Sequence, residues 1–440
     1  MSSTFFALLA CLVATTVARA QTTASSDLDS LVRIGVAANP AIRAAESGRG
    51  AARARIGPAG AWADPVVGVG LQDLPLTRPG FYDTFTMETV RITQTLPLAG
   101  APAARARVES RAAVAADYRI QSARFDVVQQ VKDAYYDLVF VDRALDIVRR
   151  SHTVLLELSQ AAEARYGAGT GNQADVLKAR VEAARLSDQA VALVAQRSAA
   201  LAQLNAVLDR PSDTPVDSAR VPAALIRAAM PDSTADVRFV SPALGAPAAN
   251  SPLPSLVALQ DRAMQTSPML REHGATLDAD AARVELARKE RVPDIDVSLE
   301  YDHRVQFPDF VTAFVSLPIP IHSGRKQSQM VAEARSTLAA DEAEHHATMN
   351  DIRATVAAQY AAVERARTQL ALDARVILPQ ARAGIESATA SYRAGRGDFL
   401  SVLQAQATVF EIETDADRAL TDFAKSVAQL DRTIGAEVLP

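Results

Sequence analysis

The chain contains the same ordered set of short motifs twice, the second set about 226 residues after the first. The first motif is Tyr166-Gly167-Ala168-Gly169-Thr170-Gly171-Asn172. A similar segment occurs 226 positions later, Tyr392-Arg393-Ala394-Gly395-Arg396-Gly397-Asp398. Val176-Leu177-Lys178-Ala179 returns at the same offset as Val402-Leu403-Gln404-Ala405. A constant offset between separate motifs is typical of a duplicated structural unit. The sequence therefore predicts two related halves arranged as a pseudo-symmetric pair.

Proline density marks the boundary between the two halves. Residues 209–254 hold eight of the 22 prolines in the chain, which is typical of a connector rather than of a folded domain. We therefore expect a first repeat over 21–208, a proline-rich surface connector over 209–254 and a second repeat over 255–440.

The first twenty residues resemble a secretory leader. An apolar run from Phe5 to Val17 precedes Ala18-Arg19-Ala20, which fits a cleavage site and predicts a signal peptide over 1–20. Leu8-Leu9-Ala10-Cys11 also fits a lipidation signal, so lipidation of Cys11 remains an alternative. Cys11 is the only cysteine, so cleavage after Ala20 would exclude disulfide and thiolate chemistry from the exported chain.

Composition limits the kind of partner that the chain can have. Among the 440 residues, 49% are hydrophobic and 22% are charged, which is enough apolar material for a core. The net charge is −5 without a long basic run, so we predict no nucleic-acid partner. After the leader there is no run of 18 apolar residues, so a membrane-inserted part would have to use strands.

Each half predicts the order helix, two strands, very long helix, shorter helix. We expect the first helix to cover 27–56 and to end near Gly57-Pro58, and the corresponding second-half helix to cover 255–291. The predicted strands are 66–71, 85–96, 295–301 and 310–317. The predicted long helices are 101–166 and 326–392, and the last shorter helix is 398–434. We expect a kink just before Pro379, because proline removes one helical hydrogen bond.

The first long helix has a heptad pattern. Apolar residues recur at alternating spacings of four and three, which is typical of a coiled coil; they are Val127, Val131, Ala134, Leu138, Val141, Leu145 and Val148. At 1.5 Å per residue this helix would be about 100 Å long, so the pattern favours an extended rod or tube.

One predicted strand alternates strictly between apolar and polar residues. Val297, Leu299 and Tyr301 alternate with Ser298 and Glu300, so one face is apolar and the other is polar. Four strands cannot close a barrel around water, so several chains would have to pool their strands.

Four features of the chain resemble the TolC-like outer-membrane efflux protein family. They are the duplicated order of elements, the Asn39-Pro40 helix start, the hairpin exit Gln94-Thr95-Leu96-Pro97-Leu98 and the two Tyr-x-x-Gly turns. The resemblance implies a mainly α-helical homotrimer with an internal two-fold repeat. Its twelve strands would form a β-barrel in outer-membrane lipid, and its coiled-coil helices would form a periplasmic α-barrel. The implied location is the outer membrane of a Gram-negative bacterium.

Within that family the first hairpin is similar to the branch paired with heavy-metal pumps, although that branch often has Lys where this chain has Ala101. The resemblance implies a passive channel for heavy-metal cations, working with a periplasmic adaptor and an inner-membrane pump of the RND type. Drug efflux and type I protein secretion remain alternatives. A periplasmic coiled-coil adaptor or a structural envelope protein is an alternative of another class.

The family resemblance also implies where the functional site lies. Its Tyr-x-x-Gly turns close the periplasmic tip, contact the adaptor and form the gate. The matching positions here are Tyr166, Gly169, Gly171, Asp175, Tyr392, Gly395 and Asp398. At Gly397, Ser401 and Gln404 the chain lacks the charged residues of some members, which leaves Asp175 and Asp398 to line the pore. As an alternative, Asn172 and Asp398 are N-caps, with Asp175 completing a capping box.

Other chemistry has weaker support. Glu342-Ala343-Glu344-His345-His346 contains one Glu-x-x-His, but a di-iron bundle needs two, so we interpret it as a solvated helix face. His152 is expected at a helix interface. No nucleophile, base and orienting group can be assembled from spacing. We therefore predict no catalysis, no cofactor and no metal site.

Overall fold

A computed structural model describes residues 27–77, 79–82, 84–217, 219–230 and 253–439. The predicted signal peptide 1–20, Cys11 and part of the connector, 231–252, lie outside these ranges. The first half contains α1 (Leu28–Ala38), α2 (Pro40–Gly60), β1 (Val66–Gln72), β2 (Met87–Leu96), α3 (Ala101–Gly167) and α4 (Gln173–Val207). A short helix α5 (Ala223–Ala229) lies in the connector.

The second half has the same order of elements. It contains α6 (Leu256–Thr266), α7 (Pro268–Lys289), β3 (Ile295–His303), β4 (Phe310–Ser316), α8 (Gln327–Leu372), α9 (Leu378–Arg393) and α10 (Phe399–Ile434). A π-helical segment, Asp373–Ile377, joins α8 to α9. None of the helices in the described ranges is both long enough and apolar enough to cross a membrane.

The first helix of each half is divided into two, where one continuous helix was expected over 27–56 and over 255–291, although Asn39-Pro40 was recognised as a helix start. The break occurs at Asn39-Pro40 between α1 and α2, and at Ser267-Pro268 between α6 and α7. The residue before a proline is disfavoured in the α conformation. Asn39 stabilises its break, because its Oδ1 accepts from the Ala41 N–H at 2.8 Å and its Nδ2 donates to the Val207 carbonyl at 2.9 Å.

The predicted end of the first helix at Gly57-Pro58 was also wrong. Helix α2 continues to Gly60 with Pro58 inside it. Pro58 lies in the last turn, so the helix loses only the hydrogen bond that its nitrogen would have donated to the Ala54 carbonyl. The predicted end at residue 56 is therefore about one helical turn, four residues, too early.

The heptad seam of α3 is buried, as predicted. Val131 and Leu138 are fully buried, and Val127, Ala134, Val141, Leu145 and Val148 are buried beside them. They belong to the same apolar clusters as Leu204 of α4 and as Phe423 and Leu430 of α10, two helices that pack along α3. Helix α3 is therefore the central packing element of the described chain.

The described part of the connector also contributes to this core. Val216, Ala219, Val221 and Ala229 are buried in the same cluster as Leu138. Tyr135 Oη of α3 donates to the Arg220 carbonyl at 3.0 Å and accepts from the Arg220 N–H at 2.9 Å. Residues 209–217 and 219–230 thus pack against the helices, although their proline content predicted a surface connector.

The four strands form one antiparallel sheet in the order β1-β2-β3-β4. Strand β2 pairs with β3 so that Thr93 lies opposite Ser298 and Thr95 opposite Asp296, with side-chain oxygens 3.0 and 2.6 Å apart. Arg91 donates to Glu300 on the same polar face. Strands β1 and β4 each keep one edge unpaired within the chain.

The opposite face of the sheet is apolar and exposed. Its exposed side chains come from all four strands: Val67, Val69, Leu71, Val90, Ile92, Val297, Leu299, Tyr301, Val311 and Val315. The predicted alternation of β3 is therefore present in the structure. An exposed apolar face of this extent marks an interaction surface rather than a water-facing one.

Candidate functional site

Each long helix of the two halves ends in a glycine turn that reverses the chain. Gly169 and Gly395 have φ angles of 70° and 73°, a left-handed conformation that favours glycine. In the first turn Thr170 N–H donates to the Arg165 carbonyl at 2.9 Å, and Arg396 N–H donates to the Ser391 carbonyl at 3.0 Å in the second. Together with the glycine N–H bonds, these are Schellman motifs that satisfy the free carbonyls of a helix end.

A second glycine in each turn is required by close packing. A Cβ atom at Gly171 would lie 2.9 Å from the Tyr166 nitrogen, and one at Gly397 would lie 3.0 Å from the Tyr392 nitrogen. Such contacts are too short for a side chain to be accommodated without moving the backbone. The sequence analysis noted Gly397 only as a departure from the family, whereas the structure shows that it shapes the turn.

The two turns contact each other through Tyr392. Its ring is 3% exposed and lies 5.1 Å from the ring of Phe399, which is 1% exposed. Below them the buried Val176, Ala179 and Val402 complete a small apolar cluster. The cluster also includes Leu155, Leu158 and Ala162 of α3, so α3, α4, α9 and α10 all contribute to it and the ends of the two helical hairpins form one packed unit.

Arg165 joins the first turn to the second. Its guanidinium lies 4.5 Å from the centre of the Tyr392 ring, donates to the Tyr392 carbonyl, and donates to the Thr170 carbonyl at 3.2 Å. Arg165 was not predicted, because the predicted site residues are positions that the two halves share. The counterpart of Arg165 is Ser391, and this unmatched charge is the signal that could have identified it.

The two turn tyrosines have different environments despite their matching positions. Tyr392 is buried, whereas Tyr166 is 50% exposed. Burial raises the pKa of the Tyr392 hydroxyl, the nearby Asp175 carboxylate raises it further, and Arg165 opposes this shift. The structure thus places Asp175, Tyr392 and Asp398 near one another.

The predicted caps are partly correct. Asn172 caps α4, because its Oδ1 accepts from the Ala174 N–H at 3.0 Å. Asp398 occupies the predicted N-cap position of α10 and has the extended backbone of a cap, but its side chain makes no capping hydrogen bond. Asp398 is exposed, so its carboxylate stays in water instead of folding back onto the helix.

The other residues singled out in the sequence lie away from the turns. His345 lies 6.4 Å from His273 of the neighbouring α7, measured between ring centres, and Glu342 and His346 are exposed. Within the described ranges, no three His, Cys, Asp or Glu side chains form a group able to hold a metal ion. His152 is half-buried on α3.

Known proteins resemble this chain over most of its length. The model of the family described as "Outer membrane efflux protein" matches residues 34–210 and 259–436. The cobalt-zinc-cadmium resistance protein CzcC of Cupriavidus metallidurans is 25% identical over 355 residues, which cover 79% of this chain and 77% of the relative.

Solved structures share the fold. The outer-membrane channel OprN superposes with a TM-score of 0.75 at 18% identity, over 94% of this chain and 91% of that one. CusC gives a TM-score of 0.75 at 15% identity, over 94% and 92% of the two chains. VceC of Vibrio cholerae gives 0.73 at 14% identity, over 93% and 96%. These structures show a TolC-like arrangement of long helices and one four-stranded sheet. Together with the family match, this shows that the chain belongs to the outer membrane efflux protein family and is an outer-membrane transport channel rather than an enzyme.

Proposed function

We propose that the chain is the homotrimeric outer-membrane channel of a tripartite efflux system for heavy-metal cations. It would receive the cations from an inner-membrane RND-type pump and a periplasmic adaptor, and release them outside the cell. The observation that carries the proposal is the four-stranded sheet, which has one exposed apolar face, an opposite face that carries Arg91 and Glu300 together with exposed Phe310 and Phe314, and two free edges.

The sheet supports a shared barrel for two physical reasons. Unpaired strand edges are costly in a membrane, because lipid cannot satisfy backbone N–H and C=O groups. Pairing β4 of one copy with β1 of the next would satisfy both edges and, with three copies, close a twelve-stranded barrel. The apolar face carrying Val69 and Leu299 would then meet lipid, and the face carrying Arg91 and Glu300 would line water.

The substrate proposal rests on the relative whose name refers to cobalt, zinc and cadmium. The acidic residues beside the turns are compatible with it, since Asp175 and Asp398 lie close to Tyr392 and would attract cations to a narrow passage. The tip formed by the two turns is then the proposed gate and the contact surface for the adaptor.

Two measurements test this proposal. Outer-membrane extracts should contain a species whose electrophoretic mobility corresponds to a trimer and changes to that of a monomer on heating. Cells that lack their own metal-efflux channel should regain tolerance to cobalt, zinc or cadmium when this chain is expressed with its adaptor and pump. Restored tolerance to organic toxicants without any gain in metal tolerance would contradict the substrate proposal and leave the channel proposal intact.

A further inference from the structure

Three exposed basic residues lie together at one end of the sheet. Arg291 lies between the end of α7 and the start of β3, and Arg325 and Lys326 lie between the end of β4 and the start of α8. Because Asp296 of β3 pairs with Ser316 of β4, both connections leave the same end of the sheet. Ala287 of α7 and Met330 of α8 line one cavity, so the adjoining helix ends are also neighbours. We call Arg291, Arg325 and Lys326 the cationic belt.

The belt cations are not engaged in ion pairs. Among the described residues, none of the three makes a salt bridge, whereas nearby Arg288 pairs with Glu285 and Arg105 pairs with Glu290 at 3.2 Å. At this end of the sheet, Asp64, Asp294 and Asp296 are the acidic residues without a salt bridge among the described residues, and Lys289 adds a fourth cation to the three of the belt. The local charge at this end of the sheet is therefore positive, although the whole chain is acidic.

Exposed apolar residues adjoin the belt. Ile319 and Ile321 are 78% and 79% exposed, and Val292 is exposed beside Arg291. These cations and apolar side chains lie just beyond the apolar face of the sheet. The boundary between lipid headgroups and acyl chains favours this arrangement, because cations interact with the headgroups and apolar side chains with the acyl chains.

The first half lacks the corresponding charges. At the position of Arg291 it has Ala63, two residues before Pro65 as Arg291 is before Pro293. Where Gly324 is followed by Arg325-Lys326, Gly100 is followed by Ala101-Pro102. The belt is therefore a feature of one half and not a by-product of the repeated motif.

We infer that the cationic belt binds the headgroups of anionic phospholipids, with Val292, Ile319 and Ile321 contacting their acyl chains. This inference rests on the proposed insertion of the sheet into the outer membrane. It adds a lipid preference that insertion of the apolar face alone does not require. Each belt cation near an anionic surface strengthens binding, and the effect weakens as salt increases.

The test counts lipids bound to the purified protein. The detergent-solubilised trimer would be incubated with equal amounts of phosphatidylglycerol and phosphatidylethanolamine, and the retained lipids would be counted by native mass spectrometry. We expect several-fold enrichment of phosphatidylglycerol. The triple variant R291Q/R325Q/K326Q should lose it, while R291K/R325K/K326R should keep it. The matched control K178Q/R262Q/R365Q, which removes three exposed cations elsewhere on the helices, should also keep it.

The outcomes separate the inference from the proposed function. Unchanged phosphatidylglycerol preference in the glutamine triple variant would overturn the inference. It would also be overturned if glycerol phosphate, at the same concentration as phosphatidylglycerol, competed equally well for the protein, because the acyl chains would then contribute nothing to binding. If the triple variant does not assemble, the single variants R291Q and R325Q must each reduce the enrichment, or the inference fails. A wild-type trimer that inserts into bilayers without any lipid preference would overturn this inference alone. Wild-type protein that does not insert would overturn the proposed function and this inference together.

Discussion

Arg165 shows how one residue can make two similar turns inequivalent. It bonds to carbonyl groups of both turns and covers the Tyr392 ring, and its counterpart Ser391 is too short to do so. Hydrogen bonds from a charged donor contribute about 1.5–3 kcal/mol, and a cation over an aromatic ring adds about 0.5–2 kcal/mol. Arg165 with these contacts is therefore a charged link between the two turns of each chain, and we call it the clamp.

Replacing Arg165 by Gln should loosen the contact between the turns. If closure of the proposed gate depends on this clamp, a loss of about 1.4 kcal/mol or more would shift the equilibrium toward open states at least tenfold. Single-channel recordings in planar bilayers should show larger or more frequent conductance steps. The variant Ser391→Ala is the control and should behave as wild type. Wild-type conductance in Arg165→Gln would show that the clamp does not hold the gate.

Asp373 gives a prediction about pH. It lies in the π-helical segment, is 5% exposed and has one carboxylate oxygen without a partner. Burial raises its pKa, and repulsion by Asp415 raises it further. The folded protein therefore holds this proton more tightly than the unfolded chain does. Stability should fall as the pH rises from the ordinary aspartate pKa, about 3.9, through the higher folded value.

The variant Asp373→Asn cannot lose this proton. Its melting temperature in detergent should exceed that of wild type by a margin that is small near pH 3.5 and grows toward pH 7. Exposed Asp188, replaced by Asn, provides the control and should leave the pH profile unchanged. A stabilising margin that shrinks with rising pH would contradict the proposed cost of burying the charge.

At the scale of elements, periodicity predicted most of the fold. The long helix predicted over 101–166 is α3, Ala101–Gly167, and the four predicted strands agree with the observed ones to within two residues at each end. The breaks at Asn39-Pro40 and Ser267-Pro268 were missed because apolar residues continue across both. The interruption before Pro379 was predicted, but its π-helical form over Asp373–Ile377 was not, because a proline removes a hydrogen bond without specifying how the preceding turn is rearranged.

The functional turns were predicted better than their contacts. Motif matching located the turns that hold Gly169 and Gly395, because left-handed glycines leave a clear sequence signal. It could not show that Arg165 reaches Tyr392, because that contact joins residues 227 positions apart. It also could not distinguish buried Tyr392 from exposed Tyr166, since the two tyrosines sit in nearly identical local sequences.

The seam of α3 allows a matched comparison of two leucines. Leu138 is fully buried, whereas Leu156 on the same helix is 46% exposed. Truncating a buried leucine to alanine costs about 2–5 kcal/mol. Leu138→Ala should therefore lower the melting temperature clearly, as followed by circular dichroism in detergent, and Leu156→Ala should change it little. Equal effects of the two variants would mean that the seam is not the main packing face.

Strand β3 allows a similar comparison of its two faces. Leu299 lies on the exposed apolar face and Ser298 on the polar face, 3.0 Å from Thr93. An arginine facing lipid near the middle of the bilayer costs about 2–4 kcal/mol. Leu299→Arg should reduce the amount of heat-modifiable trimer in outer-membrane extracts, and Ser298→Arg should be tolerated. Equal tolerance would contradict insertion of this face into lipid.

At the scale of the whole molecule, the two halves share one order of elements but contribute different residues to the proposed functional sites. The first half supplies Arg165 and Asp175, and the second half supplies Tyr392, Asp398 and the cationic belt. A trimer would repeat each of these features three times around one axis. Carboxylates that are single in one chain would then form rings, and their effect on ions would exceed that of isolated surface charges.

The final prediction concerns these carboxylates. Asp398 makes no capping bond, and Asp175 lies beside Tyr392, so Asp175→Asn together with Asp398→Asn should remove charge with little effect on helix stability. If three copies of each line the narrow tip, the double variant should lose cation selectivity, measured as the reversal potential of planar bilayers under a salt gradient. The paired control Asp188→Asn with Glu386→Gln removes two exposed charges elsewhere and should keep it. Unaltered selectivity in the double variant, with trimer melting unchanged, would place these carboxylates outside the conducting path, because removing charge from a narrow pore must change the ions that it admits.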